Sequence, residues 1–404
     1  MSIAVSPERD SGRDKTIIAL VAFAHGASHL MQLAIPPLFP ILHGVFGVSF
    51  TELGLIATLL FAASGLGQAF AAGPLVDRFG PHRMLIAGTL LSSCAVILAG
   101  LVSAYWMLLP LGVLIGLGNS VFHPADLSIL SLRVNEKFQG RGFAAHVLGG
   151  TLGYAVAPLV VMTVATVSHW RVALVLCGLL GLAIAAALFF NRGLLVCRSA
   201  KPAAPAVGKA VPRSGLLGAL LSPVFLMAFA YFTLTSFANV GLQTFGIPAF
   251  VMGNAFALPA ATFAVSAYLF GSAGGAILGG VLADRTQQHH RVAFSGILCA
   301  AICMLLITVV GGWAPLVTAL MGLMGIAFGM TAPARDVIVR KAAAGAGLGS
   351  VFGFVYSGFD LGSAVGPLIL GPFMDRQMPQ AVFVTVVIAL VLAAPTVLRV
   401  RRRS

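Results

Sequence analysis

The chain has 404 residues and a formal net charge of +13, yet only 9% of its residues are charged and 59% are hydrophobic, for a mean hydropathy of +1.01. Soluble domains carry about 25% charged residues, so a water-soluble enzyme is excluded; the Lys and Arg stand in short clusters between apolar runs, which excludes a basic nucleic-acid-binding face. The five Cys, at 94, 177, 197, 299 and 303, lie in or beside apolar runs without metal-ligand spacing, and predict neither a metal centre nor a disulfide framework.

A polar opening, residues 1–15, leads into an apolar run over about 16–39. That run is too long for a signal-peptide core and lacks a cleavage pattern, so it reads as a retained first span. Further runs follow at about 50–72, 84–102, 106–132, 142–167 and 170–190, then at 216–245, 256–282, 292–311, 314–339, 347–373 and 380–398. Each is long enough to cross a hydrocarbon core of about 30 Å as a helix. The expected fold is therefore an all-α membrane protein of twelve transmembrane helices. An even count puts both termini on one side, and only Arg171 and Arg376 among the basic residues fall in loops on the other, so the positive-inside rule makes the terminal side cytoplasmic. Residues 193–215, with Pro202, Pro205, Pro212 and several Lys and Arg, read as a cytoplasmic linker. It separates a bundle over 16–192 from a second over 216–398, with a basic tail at 399–404.

The two halves repeat. Gly73-Pro-Leu-Val-Asp77-Arg78 at the end of span 2 returns as Gly280-Val-Leu-Ala-Asp284-Arg285 at the end of span 8. Gly116, Pro124, Gly140, Gly153 and Pro158 recur 209 positions later as Gly325, Pro333, Gly349, Gly362 and Pro367. Parallel repeats around a central site are a recurring transporter plan. No Gly-x-x-x-x-Gly-Lys-Ser/Thr loop is present, so an ion gradient rather than ATP is the expected energy source, and no cofactor is expected.

Gly73, Asp77, Arg78, Gly80 and Arg83 match the loop signature between spans 2 and 3 of the major facilitator superfamily, which the chain resembles over essentially its whole length; Pro81 and His82 depart from the signature. The resemblance implies two pseudo-symmetric six-helix bundles. Within the superfamily, Gly118-Asn-Ser-Val-Phe-His123-Pro124, Gly140-Arg141 and Pro333-Ala-Arg335-Asp336 are similar to the fosmidomycin-resistance type of efflux transporter. That likeness implies proton-driven export across a bacterial inner membrane. It also assigns Asp77, Arg78 and Arg83 to gating, with Asp77 facing the start of span 11. The antiporter pattern Gly-x-x-x-Gly-Pro is intact on span 11 but reads Gly153-x-x-x-Ala157-Pro158 on span 5, which weakens the export direction.

Ionisable groups in mid-membrane cost about 2.5–3.5 kcal/mol each and mark functional sites. His25, His29 and Gln32 stand at i, i+4 and i+7 on span 1, and Asn119, His123 and Asp126 repeat that spacing on span 4, each set forming one polar stripe. Histidine titrates near physiological pH, so His25, His29, His123, His146 and Asp126 are proton-coupling candidates, beside Asp360 near the middle of span 11; a packing role as helix-joining hydrogen bonders is the bland alternative. Gln32, Asn119, Asn239, Gln243 and Tyr356 are candidate substrate contacts. Asp126 and Arg335 each lie two residues after a repeat-related proline and are expected to form a latch between the halves when the cytoplasmic side closes; the alternative is local pairing, Asp126 with Arg133 or Arg78 and Arg335 with Asp336. Arg335 and Asp336 join the gating candidates. The centres of spans 1 and 7 hold no Arg or Lys, favouring a neutral, cationic or amphipathic substrate, whereas likeness to a phosphonate exporter points to an anion. The expectation is a monomeric transporter in the bilayer using protons and a small-molecule substrate, most simply an exporter of a drug-like molecule or metabolite, with nutrient uptake as the alternative.

Overall fold

A computed structural model describes residues 7–197, 223–342 and 348–400. Among these residues the secondary structure is helical throughout, and twelve helices are long and apolar enough to cross a membrane: Gly12–Phe46, Phe50–Phe79, Pro81–Ala99, Tyr105–Arg133, Glu136–Val167, Trp170–Phe190, Pro223–Gly253, Leu258–Ala283, His289–Val310, Ala314–Ile338, Phe354–Asp375 and Pro379–Leu398. They are called spans 1 to 12. Most of the linker expected at 193–215, the expected start of span 7 and parts of both terminal tails lie outside the described residues.

The helices begin and bend where their sequences direct. Span 5 starts at Glu136, a turn and a half before its apolar run, because the Asn135 side chain accepts the Lys137 N–H at 3.1 Å while its own N–H donates to Asp14 at 3.2 Å. Span 1 stops its first helix at Gln32, passes through a short 3-10 turn at Pro36–Leu38 and resumes as Phe39–Phe46. Pro36, Pro37 and Pro40 withdraw the N–H groups that would continue the ladder. Span 4 breaks between Ser120 and Phe122, and span 10 between Gly329 and Thr331. In each the break sits opposite a proline, Pro124 or Pro333, whose ring would clash with the carbonyl four residues back. The repeat seen in the sequence is thus a repeat of bends.

The chain divides into two compact units by spatial contact. Of the described residues, the first comprises 7–35, 63–157 and 164–197, and the second comprises 36–62, 158–163, 223–342 and 348–400. In the first, Ile17, Val21, Leu85, Phe122 and Ile129 are fully buried in one apolar core. Lipid is as apolar as these side chains, so such contacts stabilise through close packing rather than removal from water. Close approach needs glycine: a Cβ at Gly153 on span 5 would lie 2.1 Å from the Gly26 carbonyl oxygen on span 1. The second unit repeats the device, with a Cβ at Gly362 on span 11 meeting the Thr233 carbonyl oxygen of span 7 at 2.1 Å. At the outer rim of this unit the exposed Asp375 carboxylate, ending span 11, accepts the Phe50 N–H at 2.6 Å, the Thr51 N–H at 3.0 Å and the Thr51 hydroxyl. Those groups open span 2, where the helix dipole also favours a negative charge.

Candidate functional site

Spans 1, 4 and 5 of the first unit bring the predicted histidines to one place. His25 and His29 lie one turn apart on span 1, His123 and Asp126 on the second segment of span 4, and His146 on span 5. Asp126 is fully buried, and one of its oxygens, Oδ2, lies 3.1 Å from His146 Nε2 and 3.3 Å from His25 Nδ1. The His25 and His146 rings stack with centroids 3.8 Å apart, and His29 and His123 flank His25 at 4.4 and 5.0 Å. Space for these rings comes from Gly150, where a Cβ would stand 2.5 Å from His25 Cδ2 and 2.9 Å from His29 Cε1.

A neutral hydrogen-bond network adjoins the cluster. Gln32 donates to Asn119 at 3.3 Å; the Asn119 carbonyl oxygen also accepts from Ser64 at 2.7 Å, and its amide donates to Ser28 at 2.6 Å. Tyr154 closes the arrangement, with its hydroxyl bonded to Gln32 and its ring stacked on His29 at 4.1 Å. Cluster and network are therefore continuous through His29 and Tyr154. Ser28 and Ser64 carry no signal in the sequence that sets them apart from packing serines. Tyr154 does carry one, since it falls two turns after His146 and so on the same face of span 5.

In the second unit Gln243 donates to Asn239 at 3.4 Å, and Asn239 accepts a stronger bond of 2.8 Å from Tyr268, a fully buried residue the sequence reading missed. Arg335 pairs with Asp336 at 3.0 Å and covers the Phe232 ring at 4.3 Å, while Tyr356 donates to the same Asp336 oxygen at 3.2 Å. Tyr356, expected at the substrate, is thus held by a gating candidate. Within its own unit Asp126 is held by the two histidines, not by Arg133 or Arg78, and Arg335 is held by Asp336. Asp360 lies midway along the helix Leu348–Asp375, half-buried and with neither a hydrogen bond nor an ion pair among the described residues. Ser236 and Ser363 bond each other nearby at 2.6 Å, and Ser236 also donates to the Phe359 carbonyl at 2.8 Å, so these hydroxyls are already engaged. Asp77, Arg78 and Arg83 are exposed around the end of span 2. The segment that Asp77 is expected to face, residues 345–350, lies in part outside the described residues.

Comparison with known proteins agrees with this architecture. The sequence profile of the Major Facilitator Superfamily matches residues 21–266 and 233–404. The fosmidomycin resistance protein of Escherichia coli K12 is 24% identical over 383 residues, covering 91% of this chain and 88% of that protein. A probable L-galactonate transporter of the same organism is 26% identical over 170 residues, 42% of this chain and 37% of the relative. Among solved structures, an inward-facing, unoccupied bacterial homolog of the human lysosomal transporter Spinster superposes with a TM-score of 0.76 at 15% identity, covering 96% of this chain and 97% of the other.

Proposed function

The chain belongs to the Major Facilitator Superfamily of membrane transporters, and from that premise we propose that it works by alternating access and uses a proton gradient to export a small drug-like molecule or metabolite. It is a multi-pass inner-membrane transporter and not an enzyme. Asp360 supports the proton reading. Three other carboxylates are occupied: Asp126 by histidines, Asp336 by Arg335, Asp375 by a helix terminus. A mid-span carboxyl without a fixed partner is free to bind a proton on one side and release it on the other. Each charge crossing about 100 mV supplies about 2.3 kcal/mol, enough to hold roughly a 40-fold concentration ratio.

The export reading is supported by the relative that covers 91% of this chain, whose name is that of a resistance protein. The substrate contacts fall to Gln32 and Asn119 in one unit and to Asn239 and Gln243 in the other, whose amides can both donate and accept. Asp77, Arg78, Arg83, Arg335 and Asp336 act in gating, the termini are cytoplasmic by the distribution of basic residues, and the monomer is the working form. Uptake is the second reading, favoured by Ala157 standing where the antiporter pattern has glycine.

The test is proton movement in liposomes containing the purified protein and a pH-sensitive dye. Phosphonate antibiotics, sugar acids and cationic dyes are added in turn. One compound should move protons through the wild type and fail to do so through Asp360→Asn, with the direction of movement separating export from uptake. Substrate transport that continues with no proton movement would end the proton reading.

A further inference from the structure

We propose that His25, His123, His146 and Asp126 form a binding site for a divalent first-row transition-metal ion of the Zn2+ or Co2+ kind. One donor nitrogen from each of the three imidazoles can be chosen so that all lie within 4.8 Å of one another. Asp126 Oδ2 already stands 3.3 and 3.1 Å from His25 Nδ1 and His146 Nε2. Two ligands of a tetrahedral zinc ion, with bonds of about 2.0–2.1 Å, lie about 3.4 Å apart. The carboxylate oxygen thus stands at ligand spacing from each of two rings, and the three imidazole nitrogens, within 4.8 Å of one another, would draw together around the ion.

A second observation is independent of that spacing. Asp126 Oδ1, the carboxylate oxygen that takes no part in it, is buried and has no hydrogen-bond partner among the described residues. Asp126 is fully buried, His25 is 2% exposed and His146 is 4% exposed. Polar atoms so enclosed are normally satisfied, and a bound ion is one of the few things that account for an orphan. Among the described residues no Lys or Arg pairs with Asp126, so the cluster has a negative group and no fixed positive one. Two charges on a metal supply it.

The donor set narrows the ion. Ca2+ and Mg2+ want oxygen throughout, and Cu+ wants thiolate or thioether. Three imidazoles and one carboxylate suit Zn2+, Co2+ or Ni2+. His29 packs on His25 at 4.4 Å, where it fixes the orientation of that ring. His123 is half-buried while the other ligands are buried, so it marks the side from which an ion enters. The sites of metal and proton then differ: the metal sits among spans 1, 4 and 5, and Asp360 on span 11 is left to carry the proton. The inference stands on the cluster alone and survives if Asp360 has no coupling role.

The experiment uses the full chain, purified on a streptavidin-binding tag rather than a polyhistidine one, stripped with a chelator and titrated with Co2+. The expected result is one Co2+ per chain with the visible absorption of a four- or five-coordinate site, bleached by Zn2+. Loss of an outer partner alone costs about 10–100-fold in metal affinity, so His146→Gln and Asp126→Asn should weaken binding by at least about 100-fold. His43→Gln, at an exposed histidine, should leave it unchanged. If those buried variants are not monodisperse and helical, the half-buried His123→Gln carries the comparison. The proposal is overturned if the folded wild type gives no visible cobalt spectrum, or if His25→Gln/His146→Gln binds as the wild type does.

Discussion

A mid-span carboxyl without partners among the described residues and a tyrosine bonded to an amide invite different single substitutions. Asp360→Asn keeps the shape and removes the exchangeable charge; proton movement driven by substrate should fall to the background of empty liposomes while equilibrium substrate exchange persists. Loss of both activities would make Asp360 structural. Tyr154→Phe removes one hydrogen bond from Gln32. A net bond contributes about 0.5–1.5 kcal/mol, so the apparent substrate affinity should fall about 2–10-fold, read as KM in the same liposomes. Much of this site was legible beforehand, because His25, His29 and Gln32 declare a common face by spacing alone, as do Asn119, His123 and Asp126. What spacing cannot supply is which stripe meets which. The meeting of Asp126 with His25 and His146 rather than Arg133 or Arg78 depends on how spans 1, 4 and 5 cross, and that crossing is set by glycines whose effect is three-dimensional.

Those glycines act at the scale of whole helices. A side chain at Gly153 would run into backbone on span 1, which no rotamer change can relieve, so Gly153→Val must push spans 1 and 5 apart. Overpacking costs about 1–3 kcal/mol, and the thermal midpoint in detergent should drop by several degrees, with loss of transport. Gly140, also on span 5, has nothing within 4 Å of a built Cβ. Gly140→Ala should therefore leave the midpoint unchanged or slightly raised, and an equal fall in both variants would refute the packing argument. The spans themselves were readable from hydropathy, but their ends were less so. Hydropathy ignores the polar first turn of span 5, which exists because Asn135 caps it. It also reads Pro124 and Pro333 as matching letters, whereas each marks a break in its helix.

For the molecule as a whole, twelve apolar runs and one asymmetry of basic residues carried most of the architecture. Repeats could be aligned by eye because the same backbone bends recur at the same offset. The proposed orientation is directly testable in intact cells with native cysteines replaced. A cysteine at Arg376 should react with a membrane-impermeant maleimide from outside, and one at Arg141 only after permeabilisation; the reverse pattern would invert the topology. The rim where Asp375 grips the start of span 2 is built for speed. Because that carboxylate is exposed and Thr51 only half-buried, water stands ready to replace each bond as it parts. An exposed capping contact of this sort contributes only about 0.3–1 kcal/mol, so the seam holds by number rather than by strength. It can let go and re-form many times within one turnover, and Asp375→Asn should change how long the seam stays shut far more than whether the protein folds.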